Sequence, residues 1–438
     1  MKRIFFICLI YSGVLFAQGR VLTLQDALEI GLKNSKELRI SKSKLTSADA
    51  RVTEAASQLL PQLKFTASYM RLSNVPPFEV QIQPFMTQPY IISNTILDNY
   101  NLKLSLQQPL FTGLRLLSLR SAAKENYRAE ESSYSSSLND AELNIENTFW
   151  NYYKAQQLKS VLQDNLRQVK NHLDDTKNFL KNGLATQNDV LKLEVEYSNI
   201  ELQAIEADNN IDVARLNLNR IIGLPLETST EIKVDGIDTS FTKYNIDDIL
   251  KEAENKRNDL KALQSRVNAS NNAITAANAG WFPSIFLVGD YYYSKPNSRY
   301  FPAVNEFKDT WDVGVTLQWD LWNWGYTSSK VTEAEQDRVQ AQTAFEQLND
   351  AIGVEVYQAY LTYKRSMDKI EVSKQAVKQA EENYNIIQNK YNQQVATSTD
   401  LIDAEVSVRQ ARTNLTNALV DYQLTKVKLE KAIGRKIY

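Results

Sequence analysis

The chain has 438 residues, with 50 Lys+Arg against 52 Asp+Glu and a single histidine, for a formal net charge of −2 at pH 7. That near balance gives no reason to expect nucleic acid as a partner. The one cysteine, Cys8, sits in the first apolar stretch, so the rest of the chain carries no disulfide or thiol chemistry.

The N-terminus reads as a secretion signal over residues 1–17. Lys2 and Arg3 form a basic start, Ile4 to Phe16 is an apolar core too short to span a bilayer, and Ala17–Gln18 resembles a cleavage point. No later stretch approaches the roughly 18 apolar residues of a membrane-crossing helix. Tyrosine (22), phenylalanine (15) and tryptophan (6) are nevertheless plentiful, which keeps an outer-membrane β-barrel open.

The mature chain is a duplication, with repeats at 18–223 and 246–438 joined by 224–245. Residues 24–70 reappear 222 positions later, as in Pro61/Pro283 and Tyr69/Tyr291, and residues 100–223 reappear 211 positions later, as in Tyr152/Tyr363 and Gly223/Gly434. The first copy therefore carries 11 extra residues between 70 and 100. Two copies are too few for a solenoid and read as a duplicated half-subunit.

Each repeat opens on a helix, 24–57 or 246–279, that stops just before a proline. Strands follow at 60–72 and 99–111 in the first copy, and at 282–294 and 310–322 in the second. Leu63, Phe65, Ala67 and Tyr69 alternate with Lys64, Thr66 and Ser68, and Val313, Val315 and Leu317 alternate with Asp312, Thr316 and Gln318. The spacing suits two-faced strands, and about 9–11 such residues cross a membrane in a barrel. Residues 73–99 read as an exposed loop. Phe111, Trp281, Phe282, Trp319, Trp322 and Trp324 gather where strands meet helices, as at a membrane–water interface; the competing reading is a buried aromatic cluster under a soluble sheet.

The segments 114–182 and 326–394 hold no glycine but Gly353, and no proline lies between 110 and 224 or beyond 302. Stretches so free of interrupters predict helices over 113–181 and 326–392, each about 100 Å long at 1.5 Å per residue. Second helices follow at 186–222 and 397–433. Val190, Leu193, Tyr197, Ile200 and Ala204 begin an unbroken series at alternating spacings of three and four, the mark of an antiparallel coiled-coil hairpin. Thr186-x-x-Asp189 and Thr397-x-x-Asp400 resemble capping boxes. Gly183 suits the end of the preceding helix, whereas its copy is Gln394. The connection 224–245 suggests a small collar outside the helices.

Four strands cannot close a membrane barrel, for which about eight is the minimum. An open edge in lipid is not viable, so the arithmetic demands oligomers; three chains supply twelve strands. The fold class is thus mainly α with membrane β. A helix–strand–strand–helix–helix unit is duplicated, its long hairpins form an α-barrel, and four strands per chain join a trimeric twelve-stranded barrel.

Catalysis finds little support. His172 stands mid-helix among Lys170, Asp174 and Asp175 and reads as a solvated helix residue. The chain has no phosphate loop, nucleophile constellation or His-based metal cluster, so no cofactor or metal is expected.

The duplication, the element order, the Pro61/Pro283 strand starts and the GLATQNDVLKLE and QVATSTDLIDAE turns together resemble the TolC-type outer-membrane efflux proteins, over essentially all of the mature chain. The resemblance implies a homotrimeric channel-tunnel: a β-barrel among outer-membrane lipids and a helical barrel crossing the periplasm to a closed tip. It also implies a periplasmic adaptor and an inner-membrane pump of RND, ABC or similar type, and export of small molecules. Asp189 and Tyr391 match gate-link positions, and Asp400 and Asp403 match positions of an acidic ring. Ala396 stands where better-known members have a gate arginine, so a closed state here must rely on other contacts. Capping already accounts for Asp189 and Asp400. Asp403, beyond the first helical turn and with Lys192 as its copy, is the favoured selectivity residue, since a carboxylate ring favours cations and binds divalents. The turns, Gly183, Leu184, Ala185 and Thr186 with Gln394, Val395, Ala396 and Thr397, are the expected adaptor contacts. Alternatives are the outer-membrane component of type I protein secretion and a non-conducting periplasmic coiled-coil tether.

Overall fold

A computed structural model describes residues 20–93 and 95–436; the expected signal peptide lies outside them. The chain divides into two compact units: one comprises residues up to Lys42, Ser133–Leu260 and the chain from Leu348, and the other Ser43–Ser132 and Lys261–Gln347. Among the described residues there are eight α-helices and eight strands.

The first unit is helical. It is built on α1 (Leu24–Asn34), the larger part of α3 (Arg115–Lys181), α4 (Gln187–Ile222), α5 (Ile246–Lys256), most of α7 (Tyr326–Asn392) and α8 (Ser398–Ala432). Phe149, Ile145, Leu218, Ile222 and Leu28 form one buried cluster, and Leu162, Val169, Leu193 and Ile200 a second between α3 and α4. Val190, Leu193, Ile200, Ala207 and Leu218 of the heptad series on α4 are buried, and removal of such apolar area from water is what holds helices of low intrinsic stability together. The unit also contains a short parallel pair, β1 (Arg20–Leu22) with β6 (Thr230–Ile232). The connection 224–245 is therefore anchored to the first residues of the first repeat. It is also held by Tyr422, which donates to Ser240 O at 2.7 Å.

Two of the expected helices are broken. The helix expected over 24–57 stops at Asn34, and α2 (Lys36–Ser57) starts anew. Ser35 leaves helical geometry at ψ 120° and its hydroxyl accepts from Leu38 N at 3.2 Å, so it ends one helix and caps the next. The copy behaves alike. The stretch expected as 246–279 divides at Arg257, ψ 123°, into α5 and α6 (Asn258–Asn278).

The second unit contains α2, α6, the first turns of α3 and α7, and an antiparallel sheet. Its strands are β2 (Gln62–Arg71), β5 (Asp98–Phe111), β7 (Ser284–Lys295) and β8 (Lys308–Gln318), paired in the order β2-β5-β7-β8. Register stacks one apolar face across all four strands, with Phe65 opposite Leu104, Leu104 opposite Tyr291 and Tyr291 opposite Trp311. Those residues are exposed, Trp311 and Phe65 by 70% and 65%. The other face is polar and holds Lys103 and Asp290 3.0 Å apart. The 73–99 segment contains a hairpin absent from the sequence reading, β3 (Phe78–Val80) with β4 (Tyr90–Ser93).

Candidate functional site at the two helical turns

The turns between α3 and α4 and between α7 and α8 share one backbone design. In the first, Gly183 lies at φ +70°, and Leu184 N donates to Phe179 O at 2.8 Å. In the second, Val395 N donates to Lys390 O at 2.8 Å while Gln394 takes φ +60° without being glycine. Left-handed geometry costs an L-residue roughly 1–2 kcal/mol, so the second turn is strained where the first is not. Both capping boxes form. Asp189 N donates to Thr186 Oγ1 and Asp400 N to Thr397 Oγ1, each at 3.2 Å, and each aspartate accepts in return from the threonine amide.

The two aspartates then part ways. Asp400 bonds within its own turn. Asp189 turns its second oxygen outward and accepts from Ser398 Oγ at 2.7 Å, tying the start of α4 to the start of α8. Lys192 adds a bond to Thr399 Oγ1 at 2.9 Å, and Arg409 of α8 reaches Glu196 of α4 at 3.1 Å. The Thr186 hydroxyl and then the Ser398 hydroxyl hold the Asp189 carboxyl below its ordinary range; the Thr397 hydroxyl and amide do the same for Asp400.

Tyr391 is buried on α7 and bonds the Thr176 hydroxyl of α3, while Thr176 itself donates to His172 O at 2.7 Å. Burial pushes the Tyr391 phenol above its ordinary range, so the hydroxyl keeps its proton. Tyr391, Tyr384, Leu401, Ala404 and Val408 form a buried cluster against which Phe179 and Ala396 pack. At the position of the family arginine, then, this chain offers an apolar contact. Asp403 is exposed on α8, one turn beyond Asp400.

One expectation is overturned. His172 is not solvated. It is 5% exposed, its Nε2 lies 3.0 Å from Tyr384 Oη, and Glu405 of α8 is 3.0 Å away and itself 3% exposed. The position falls beside core residue Leu173 on a helix that meets two hairpin partners, so the polar neighbours in sequence face water while the imidazole does not. His172, Thr176, Tyr384 and Glu405 were missed as site residues. The signal was available: Thr176 interrupts the apolar series Val169, Leu173, Leu180, and Tyr384 and Tyr391 recur seven apart on one face.

The predicted interface aromatics are exposed rather than buried, from 39% for Phe111 to 88% for Trp324. Trp319 Nε1 donates to Trp281 O at 3.2 Å, and Trp322 and Trp324 meet edge to face at 5.8 Å.

A chain with this architecture matches known proteins along its length. The family model described as outer membrane efflux protein matches residues 27–224 and 249–435. The outer membrane protein TolC of Escherichia coli is 25% identical over 415 residues, covering 92% of this chain and 80% of that protein. The proteases secretion protein PrtF of Dickeya chrysanthemi is 23% identical over 403 residues, covering 91% and 85%. The crystal structure of the outer membrane protein VceC of Vibrio cholerae superposes with a TM-score of 0.77 at 19% identity, over 95% of this chain and 97% of that one. The chain belongs to the outer membrane efflux protein family. It is an outer-membrane channel protein with a helical periplasmic part, of a family of channels rather than enzymes.

Proposed function

We propose that three copies form the exit duct of a tripartite export assembly, with β2, β5, β7 and β8 in the outer membrane and the turns at the periplasmic end. The observation that carries this reading is the sheet. Its apolar face is exposed over four strands of 10 to 14 residues, and β2 and β8 each have a single neighbour. Lipid tolerates such a face but not an open edge, so edges must meet between copies. Three chains give twelve strands. The exposed tryptophans at the strand ends suit the headgroup level. Trimers that resist dissociation in detergent support the reading; a stable monomer refutes it.

The turns at 183–186 and 394–397 serve as contacts for a periplasmic adaptor that links the duct to an inner-membrane pump, and Asp403 lines the entrance. Replacing both turns should abolish export while leaving trimers intact. Asp403→Ala should weaken cation selectivity and divalent block in a planar bilayer; unchanged selectivity and block would remove Asp403 from the entrance. The family description favours small-molecule efflux. A second reading, protein secretion, is supported by the likeness to PrtF, whose name assigns it to secretion of proteases. Loss of a secreted protein, rather than drug sensitivity, in cells lacking this chain would select it. A non-conducting tether would be extracted without detergent.

A further inference from the structure

The two helix breaks are copies of one another, yet only one of them is filled. In the second copy the break residue, Arg257, turns its side chain inward and leaves 11% of it exposed. Its Nε and Nη2 donate to Asp259 at 3.0 and 2.6 Å, and its Nη1 donates to Glu355 and, at 3.3 Å, to Ala432 O. By the offsets of 222 and 211 these four positions correspond to Ser35, Glu37, Asn144 and Ile221. All four line one cavity of about 650 Å³ at the break between α1 and α2, against the end of α4. A serine side chain is too short to fill it.

The first copy thus keeps the acceptors and lacks the cation. Glu37 offers a carboxylate where Asp259 stands, and Asn144 an amide oxygen where Glu355 stands. Ile221 lies in the last turn of α4, and the residue four positions on is Pro225, which has no amide to give its carbonyl. Carbonyls at a helix C-terminus favour a cation. A guanidinium, planar and rich in donors, matches such a set better than an ammonium does. Lys36 and Arg220 line the same cavity and are exposed. Among the described residues neither they nor Glu37 form an ion pair. A lone guanidinium would meet their repulsion, so the fitting ligand carries an acidic group beside its arginine, as a polypeptide can.

We propose that this cavity is a binding site for the arginine side chain of a partner polypeptide, with an acidic residue next to that arginine facing Lys36 and Arg220. The site occurs once per chain, because Arg257 occupies its counterpart. It shares no residue with the helical turns, and it does not rest on the export reading.

The test is a calorimetric titration of the purified protein in detergent with a blocked alanine–arginine–aspartate tripeptide. The control is the same peptide with citrulline, which has the shape of arginine without its charge. The arginine peptide should bind with a dissociation constant of about 1 mM or tighter, and at least about tenfold tighter than the citrulline peptide. Replacing the peptide's aspartate by alanine should also weaken binding. Glu37→Gln should cost at least about tenfold. Ser35→Arg supplies the missing side chain from this chain itself and should abolish binding. Equal binding of the two peptides, no binding of the arginine peptide up to about 20 mM, or unchanged binding to Glu37→Gln overturns the proposal. Glu37 is exposed, so its variant decides the matter even where Ser35→Arg fails to fold. A chain that proves monomeric in detergent refutes the exit duct but leaves this titration valid, because the cavity lies within one chain.

Discussion

The bond between Thr176 and Tyr391 is asymmetric, and that asymmetry predicts the order of two mutants. Thr176 is 0% exposed and its hydroxyl donates to His172 O at 2.7 Å, leaving its oxygen to accept from Tyr391. Tyr391→Phe deletes the tyrosine hydroxyl and leaves Thr176 still donating, so the loss is that of an ordinary hydrogen bond, about 0.5–1.5 kcal/mol. Thr176→Val keeps shape but leaves the buried Tyr391 hydroxyl without its acceptor, and a stranded buried group costs about 1–3 kcal/mol. Burial already holds that phenol protonated, so ionisation offers no escape. At about 1.4 kcal/mol per tenfold, the open-to-closed ratio per chain should rise about two- to twelvefold in Tyr391→Phe and about five- to 150-fold in Thr176→Val. Single-channel recording of both variants, with trimer assembly checked, measures this. A Tyr391→Phe channel that opens as readily as Thr176→Val, or a Thr176→Val channel that opens no more than wild type, would refute the reasoning.

Other outcomes follow from the same geometry. Gln394→Gly should relieve the left-handed strain of the second turn by about 1 kcal/mol, and Gly183→Ala should impose a similar cost on the first; amide exchange at 390–400 and 179–189 should slow and quicken respectively. Asp189→Asn should loosen α4 from α8 and raise open probability, while Asp400→Asn, which removes only a cap, should leave it near wild type. Both aspartates titrate below their ordinary value of 3.8, so the capping they supply is complete above that value and is lost as pH falls through the lowered one; fraying of α4 and α8 at the turns should therefore appear only below about pH 4. Gly434→Ala should prevent assembly of folded protein, because φ is +76° and a Cβ would meet Arg257 N and Lys256 C at 2.9 Å, both backbone atoms unable to swing away. Folded trimers of that variant would contradict the packing.

Much of the fold was legible because its signals are long. Nearly 70 residues free of proline and glycine leave little besides helix, and alternation over ten residues with an internal copy leaves little besides strand. The breaks at Ser35 and Arg257 were not legible, because neither a proline nor a glycine makes them; Ser35 acts through its hydroxyl, and the copy uses Asp259, which accepts from Leu260 N at 2.9 Å. The hairpin within 73–99 was hidden among prolines. At the site, the caps were visible as local four-residue patterns, and the structure forms both. The links between hairpins join residues more than 200 positions apart, as in His172 with Tyr384 and Thr176 with Tyr391, and single-sequence periodicity shows which face a residue takes but not what stands opposite.

The duplication sharpens what those links do. By the offset of 211, His172 corresponds to Asn383, Thr176 to Ile387, Tyr384 to Leu173 and Tyr391 to Leu180. Each polar member of the clasp thus has a counterpart that cannot make the same bond. Glu405 alone keeps its chemistry, as Glu194, yet Glu194 pairs with Lys177 at a half-exposed site. The backbone of the two hairpins repeats, but the clasp occurs once per chain. Opening at the turns should then proceed through three equal events and not six. In each event the α7/α8 hairpin parts from α3, while the apolar contact of α3 with α4, through Val169, Leu193 and Ile200, stays closed. Cross-linking α3 to α4 should leave conductance unchanged, whereas cross-linking α3 to α7 should lower it; equal effects of the two would show that the hairpins move as one.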